Sequence, residues 1–143
     1  MKKILTIIVA LFTFVAVANA QPRALGVRAG YGGEVSYQHL LGAASFAELD
    51  LGIYAGGLNL AGAYDFLLLD KSGLGIYAGP AADLLLYSSG GSSTLHGGLG
   101  GQVGFEYKFT ELPIQISVDW RPIYFFGGGF DARGAALGVR YLF

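Results

Sequence analysis

The chain contains no cysteine, so neither a disulfide framework nor lipidation at an N-terminal cysteine is open to it. Lysine is almost missing beyond Lys3, with Lys71 and Lys108 the two that remain. Charged residues make up 13% of the sequence, about half of the roughly 25% usual for a soluble domain. The formal charge is −1, and about −3 without Lys2 and Lys3, which leaves no basic footprint for nucleic acid. The two histidines, His39 and His96, fall on distant segments and make no metal site. Glycine clusters lie between strand-like segments with no helix following, which excludes a P-loop and a Rossmann turn. Past residue 20, no apolar run approaches the roughly 18 residues that a membrane helix needs. No cofactor is expected.

Hydrophobic residues are plentiful, at 53%, and mean hydropathy is +0.51. Such a balance without a spanning helix points to the other way across a bilayer, a closed barrel whose backbone polar groups all pair between strands. The first twenty residues stand apart: Lys2 and Lys3 precede the uncharged run Ile4 to Val17, which closes on Ala18-Asn19-Ala20. This is the pattern of a secretory signal peptide, with cleavage expected after Ala20. The domain reading is therefore a signal peptide at 1–20 and one barrel domain at 21–143.

Turn-forming clusters divide the remainder into eight segments. Strands are predicted at Ala24 to Tyr31, Val35 to Leu41, Ser45 to Ala55, Leu58 to Leu68, Leu74 to Tyr87, Thr94 to Phe109, Pro113 to Tyr124 and Arg133 to Phe143. Inside them apolar and polar residues alternate with period two. Ile114, Ile116, Val118 and Trp120 oppose Gln115, Ser117, Asp119 and Arg121; Ala47, Leu49, Leu51 and Ile53 oppose Glu48 and Asp50. A two-residue loop at Gly56-Gly57 would pair Ile53 with Leu60 and Glu48 with Asp65. A three-residue loop at Gly32 to Glu34 would set Arg28 opposite Gln38. Eight is an even number, as a single-chain bacterial barrel requires.

Two features turn the apolar face outward. Arg28, Lys108, Arg121 and Arg140 share the polar face with Glu48, Asp50, Asp65, Asp83, Glu106 and Asp119, a set about balanced in sign and suited to a buried charge network in the lumen. Aromatics gather at strand ends, with Phe66, Phe105, Tyr107, Phe109, Tyr141 and Phe143 at one rim and Tyr31, Tyr124, Phe125, Phe126 and Phe130 at the other, as interfacial girdles do. A third feature is the ending Ala135-x-Leu137-x-Val139-x-Tyr141-x-Phe143. It resembles the C-terminal signature of outer-membrane β-barrel proteins, and with the signal peptide the chain resembles the small eight-stranded OmpA/OmpX-type barrels. The resemblance implies an all-β, antiparallel, up-and-down transmembrane barrel in the bacterial outer membrane. It also implies an assembly signal at Leu137, Val139, Tyr141 and Phe143 for the barrel-assembly machinery, and outer-membrane lipid as partner.

An eight-stranded barrel has an interior that side chains can fill, which disfavours a general porin. Inward glycines such as Gly26, Gly52, Gly104 and Gly138 are expected to serve close packing. A Ser-His-Asp arrangement can be drawn from Ser92, Ser93, His96 and Asp83, but the His-x-Ser pattern of barrel lipid A deacylases is missing, since Gly97 and Gly98 follow His96. The expectation is not an enzyme but a monomeric barrel with a structural or envelope-integrity role. The alternatives are a loop-mediated adhesion or host-interaction module, a secreted lipocalin-like ligand-binding barrel, and a lipid-modifying enzyme.

Overall fold

The computed structural model describes residues 2–17, 23–42, 44–54 and 56–143. The expected cleavage motif Ala18 to Ala20 lies outside them. The apolar run after Lys2 and Lys3 forms helix α1 (Lys2–Val17), with Ile4, Leu5, Ile7 and Val9 exposed along it. Among the described residues no helix is long and apolar enough to cross a membrane.

Alternation of apolar and polar side chains then gives strand after strand: β1 (Arg23–Gly30), β2 (Gly33–Leu40), β3 (Ser45–Tyr54), β4 (Gly57–Lys71), β5 (Leu74–Ser89) and β6 (Ser92–Lys108). Next come β7 (Ile114–Trp120), the short β8 (Ile123–Phe125) and β9 (Gly129–Asp131), and finally β10 (Ala135–Leu142). Every pairing is antiparallel. Each of β1 to β6 pairs with the next, β7 pairs with β10, and β10 returns to β1, so eight strands close into a ring. The seam between first and last strands is zipped to its end, with Arg23 N donating to Phe143 O at 3.0 Å and Phe143 N to Arg23 O at 2.8 Å. Closure of this kind removes the exposed strand edges that an open sheet would offer.

Pro122 interrupts the seventh stave. Proline has no N–H for the ladder, and the chain predicted as one strand to Tyr124 divides there into β7 and β8. β8 leans on β6, pairing Gly98 with Phe125, and turns back as the β8–β9 hairpin where a loop was expected.

Two predicted registers are corrected. In the third hairpin Tyr54 faces Gly57 and Ile53 faces Leu58, two residues from the expected pairing, so Glu48 lies opposite Ala63 rather than Asp65. Gly56, at φ +83°, occupies the left-handed position that a tight turn requires. In the first hairpin Arg28 faces Glu34 rather than Gln38, because the chain turns earlier and Gly33 and Glu34 already belong to β2. Both slips are even-numbered, so each residue keeps its side of the sheet.

The barrel wall is apolar outside and polar inside. Val27, Val35, Leu49, Leu51, Ile53, Phe105, Val118 and Leu137 are exposed on the outer surface, whereas Arg28, Gln38, Glu48, Asp50, Asn59, Asp65, Gln115 and Arg140 are buried in the lumen. Several lumen glycines admit their neighbours at close range. A Cβ on Gly104 would fall 2.5 Å from the Tyr77 ring, and one on Gly138 would fall 2.5 Å from Ser117 Oγ.

Candidate functional site: the lumen and its outer mouth

Inward parity collects the polar side chains into one network centred on Glu48. Its Oε1 accepts from Arg121 Nη2 at 2.8 Å, and its Oε2 accepts from Gln38 Nε2 at 2.6 Å and lies 3.3 Å from Arg140 Nη2. Arg121 also binds Asp50 and donates from Nε to Gln102 Oε1 at 2.6 Å. Arg140 donates to Ser36 Oγ, two strands away on β2, at 2.7 Å and to Ser117 Oγ on the neighbouring β7 at 2.8 Å. Nearer the end that carries the Gly32, Gly56 and Gly90 turns, called the outer end, Arg28 forks between Asp119 and Glu34, the latter at 2.7 Å. Charge-assisted bonds of this kind in a low-dielectric interior fix side-chain geometry more firmly than neutral ones.

The remaining predicted lumen residues have different surroundings. Asp65 is held by an amide, accepting from Gln102 Nε2 at 2.8 Å. Asp83 borders a cavity of about 10 Å³ shared with Arg28, Glu34 and Arg121. Glu106 and Lys108 meet at 3.7 Å towards the opposite end, with Lys108 half-buried. Glu34, read from the sequence as part of a loop, joins the lumen and adds a buried carboxylate to the six expected there. Neutral amides and hydroxyls of Gln38, Asn59, Gln102, Gln115, Ser36 and Ser117 supply the other partners.

Above the network lies an apolar layer. Tyr54, Ala63, Ala81, Leu85, Ile123 and Phe125 pack together across the lumen. Deeper in, Phe46 and Tyr77 meet edge to face at 5.1 Å, both fully buried. Phe125, expected in a rim girdle, is thus corrected to an interior residue, since the parity of Asp119 and Arg121 carries on through Ile123 to Phe125. The other aromatics of the two predicted rims are exposed on the outer surface, as are Leu137, Val139, Tyr141 and Phe143 of the last strand.

A search of solved structures found a match to the crystal structure of the N-terminal β-barrel domain of Pseudomonas aeruginosa OprF. Its TM-score is 0.60 at 19% identity, covering 86% of this chain and 96% of that one. The chain has the fold of an eight-stranded antiparallel β-barrel. No protein-family model matches the sequence, and no curated protein does either.

At the mouth of the barrel, the residues drawn as a Ser-His-Asp set are spread along the β5–β6 hairpin. Ser93 Oγ lies 3.1 Å from Ser88 Oγ at the tip, and the His96 ring packs edge to face against Tyr87 at 5.9 Å. Asp83 lies opposite Gly98, a rung deeper than His96, which faces Leu85. On the far side of the mouth Arg133 grips Asp131 through Nε at 3.0 Å, donates from Nη1 to Tyr31 Oη at 2.9 Å and lies 4.5 Å over the Tyr31 ring. Burial raises the Asp131 carboxyl pKa, but the Arg133 guanidinium and backbone N–H outweigh it and hold the group below the usual carboxylate range.

Period-two reading missed the interior residues Phe46, Tyr54, Tyr77, Leu85 and Ile123, which are apolar on a polar face. A usable signal was present in Tyr77 opposite Gly104, a large residue facing a small one across the β5–β6 ladder.

Proposed function

We propose that this protein is exported by its N-terminal segment 1–20 and inserts into the bacterial outer membrane as a closed, non-conducting barrel that supports envelope integrity. The observation that carries this reading is the division of the wall: a continuous apolar outer face set against a lumen filled by ion-paired and aromatic side chains. An apolar exterior of this extent suits hydrocarbon and is costly in water, whereas the filled lumen leaves little room for solute flow. In this reading Leu137, Val139, Tyr141 and Phe143 lie on the lipid face of the last strand, where they serve as the recognition signal for the barrel-assembly machinery.

The test combines membrane fractionation, heat-dependent gel mobility and planar-bilayer recording. The expected result is recovery in the outer membrane, a mobility shift on boiling, and no steady conductance. Recovery as a soluble periplasmic protein would overturn the location, and stable open channels would overturn the closed lumen. A deletion strain with unchanged resistance to detergents and large antibiotics would remove the integrity role.

A further inference from the structure

The staves end at different heights on the outer side. β5 and β6 continue to Ser89 and Ser92, and the β8–β9 hairpin stands against β6, whereas β1 and β3 end at Gly30 and Tyr54. Within this uneven mouth lies a cleft of about 470 Å³. Its floor is Leu85 and Phe125, both buried in the apolar layer that caps the charge network. Tyr87 and His96 form one wall and the segment from Gly128 to Arg133 the other. Arg133 and Asp131 place a charged pair at the lip.

We infer that this cleft is a binding site for a small amphipathic molecule, with its acyl or aromatic body on Leu85 and Phe125 and its polar head at the Asp131–Arg133 pair. The volume falls in the range of about 300–1,000 Å³ typical of small-molecule pockets, which favour the mouths of barrels. It equals about fifteen water-sized volumes, enough for a guest of roughly that many non-hydrogen atoms. The capping layer beneath already closes the lumen, so the edge-to-face rings of Tyr87 and His96 extend an aromatic wall beyond what closure needs. An apolar floor under a polar lip orients an amphiphile body first. Among the described residues no group of three potential metal ligands exists, so a metal ion does not fit the cleft. The inference is independent of the envelope-integrity role.

Gly128 offers a clean way to occlude the site. A Cβ placed there would lie 3.4 Å from Phe125 Cβ and 3.9 Å from His96 Nδ1, in contact with the cleft walls and clear of backbone. Gly128→Leu therefore projects four carbons into the cleft and narrows it between Phe125 and His96 without a strained turn.

The experiment titrates sodium octanoate, and separately 1-octanol, into the folded protein in lipid nanodiscs with ¹³C-labelled histidine. The sequence has two histidines, so His96 reports the cleft, while His39, on the outer face near the other end, reports partition into bilayer. The expected result is a saturable shift at His96 for at least one probe and none at His39. The ratio of the two affinities then gives the charge of the preferred head. Gly128→Leu should weaken binding at least tenfold while the boiling-dependent mobility shift persists. Should that variant fail to fold, Tyr87→Ala, which removes one wall, is expected to weaken binding comparably. Absence of a saturable His96 shift with both probes, or equal affinity in a folded Gly128→Leu barrel, would overturn the proposal.

Discussion

Replacing Glu48 by glutamine tests whether the lumen is held by its charges or merely tolerates them. Glu48 is fully enclosed, and its two oxygens face Arg121 at 2.8 Å and Arg140 at 3.3 Å. Arg121 keeps Asp50 when Glu48 is neutralised, but Arg140 is left with the hydroxyls of Ser36 and Ser117. Removing one partner of a buried ion pair costs about 3–5 kcal/mol because the other charge stays buried without compensation. Glutamine retains an acceptor oxygen, which places Glu48→Gln near the lower figure, about 3 kcal/mol, or roughly two orders of magnitude in the folding equilibrium. Arg140→Met should cost a similar amount for the converse reason. The double variant carries neither stranded charge and should be more stable than the sum of the single losses by about 1–2 kcal/mol, within the range of coupling between residues in contact. The assay is urea unfolding in lipid vesicles, followed by the fluorescence of Trp120, the single tryptophan, which faces outward and donates to Ala132 O at 2.9 Å. Additivity of the two changes to within about 0.5 kcal/mol, or a loss below that in Glu48→Gln, would refute the reasoning.

Three further outcomes are expected. Gly104→Val should destabilise the barrel by about 1–3 kcal/mol through overpacking against Tyr77, and Tyr77→Leu in the same chain should recover part of the loss in the same urea assay. The Asp131 carboxyl lies below its unfolded value, so its pairing with Arg133 stabilises the mouth above that unfolded value and is lost as pH falls through the folded one. Amide exchange in β9 should therefore accelerate below about pH 4, and the Asp131→Asn variant should show the faster exchange already at pH 7. An epitope inserted between Gly90 and Gly91 should be accessible on intact cells, whereas one inserted between Ser72 and Gly73 should be accessible only after the outer membrane is permeabilised.

The parity of the wall was legible in the sequence because a strand has a side-chain period of two and the polar residues fall in step with it. Arg28, Glu48, Asp50, Asp119, Arg121 and Arg140 all lie on the side that alternation assigned them. Register was harder to read. Tyr31-Gly32 competes with Gly32 to Glu34 as a turn, and Gly56-Gly57 offers two ways to seat a left-handed residue, so local chemistry left the pairing open. The identity of the lumen partners follows from register, which is why Glu34 escaped notice and Glu48 was matched with Asp65. Phe125 and Tyr77 were obscured for a different reason: an apolar residue on a polar face breaks alternation, and its purpose shows only when the facing glycine or the opposite wall is known. The uneven heights of the staves, which create the mouth cleft, depend on where β5 and β6 stop, and a run of serines and glycines marks that end poorly.

The seam between β1 and β10 has a consequence for how the molecule comes into being. Arg28 needs Asp119, and Arg140 needs Ser36, so the central bonds join residues 91 and 104 positions apart. No early portion of the chain can satisfy its own interior, and a growing sheet presents two adhesive flanks until its last strand arrives. High sequence separation of this kind slows folding. The nascent protein is thus a long-lived client for whatever escorts it, and a truncation that removes β10 should be cleared by proteases rather than persist as a smaller barrel.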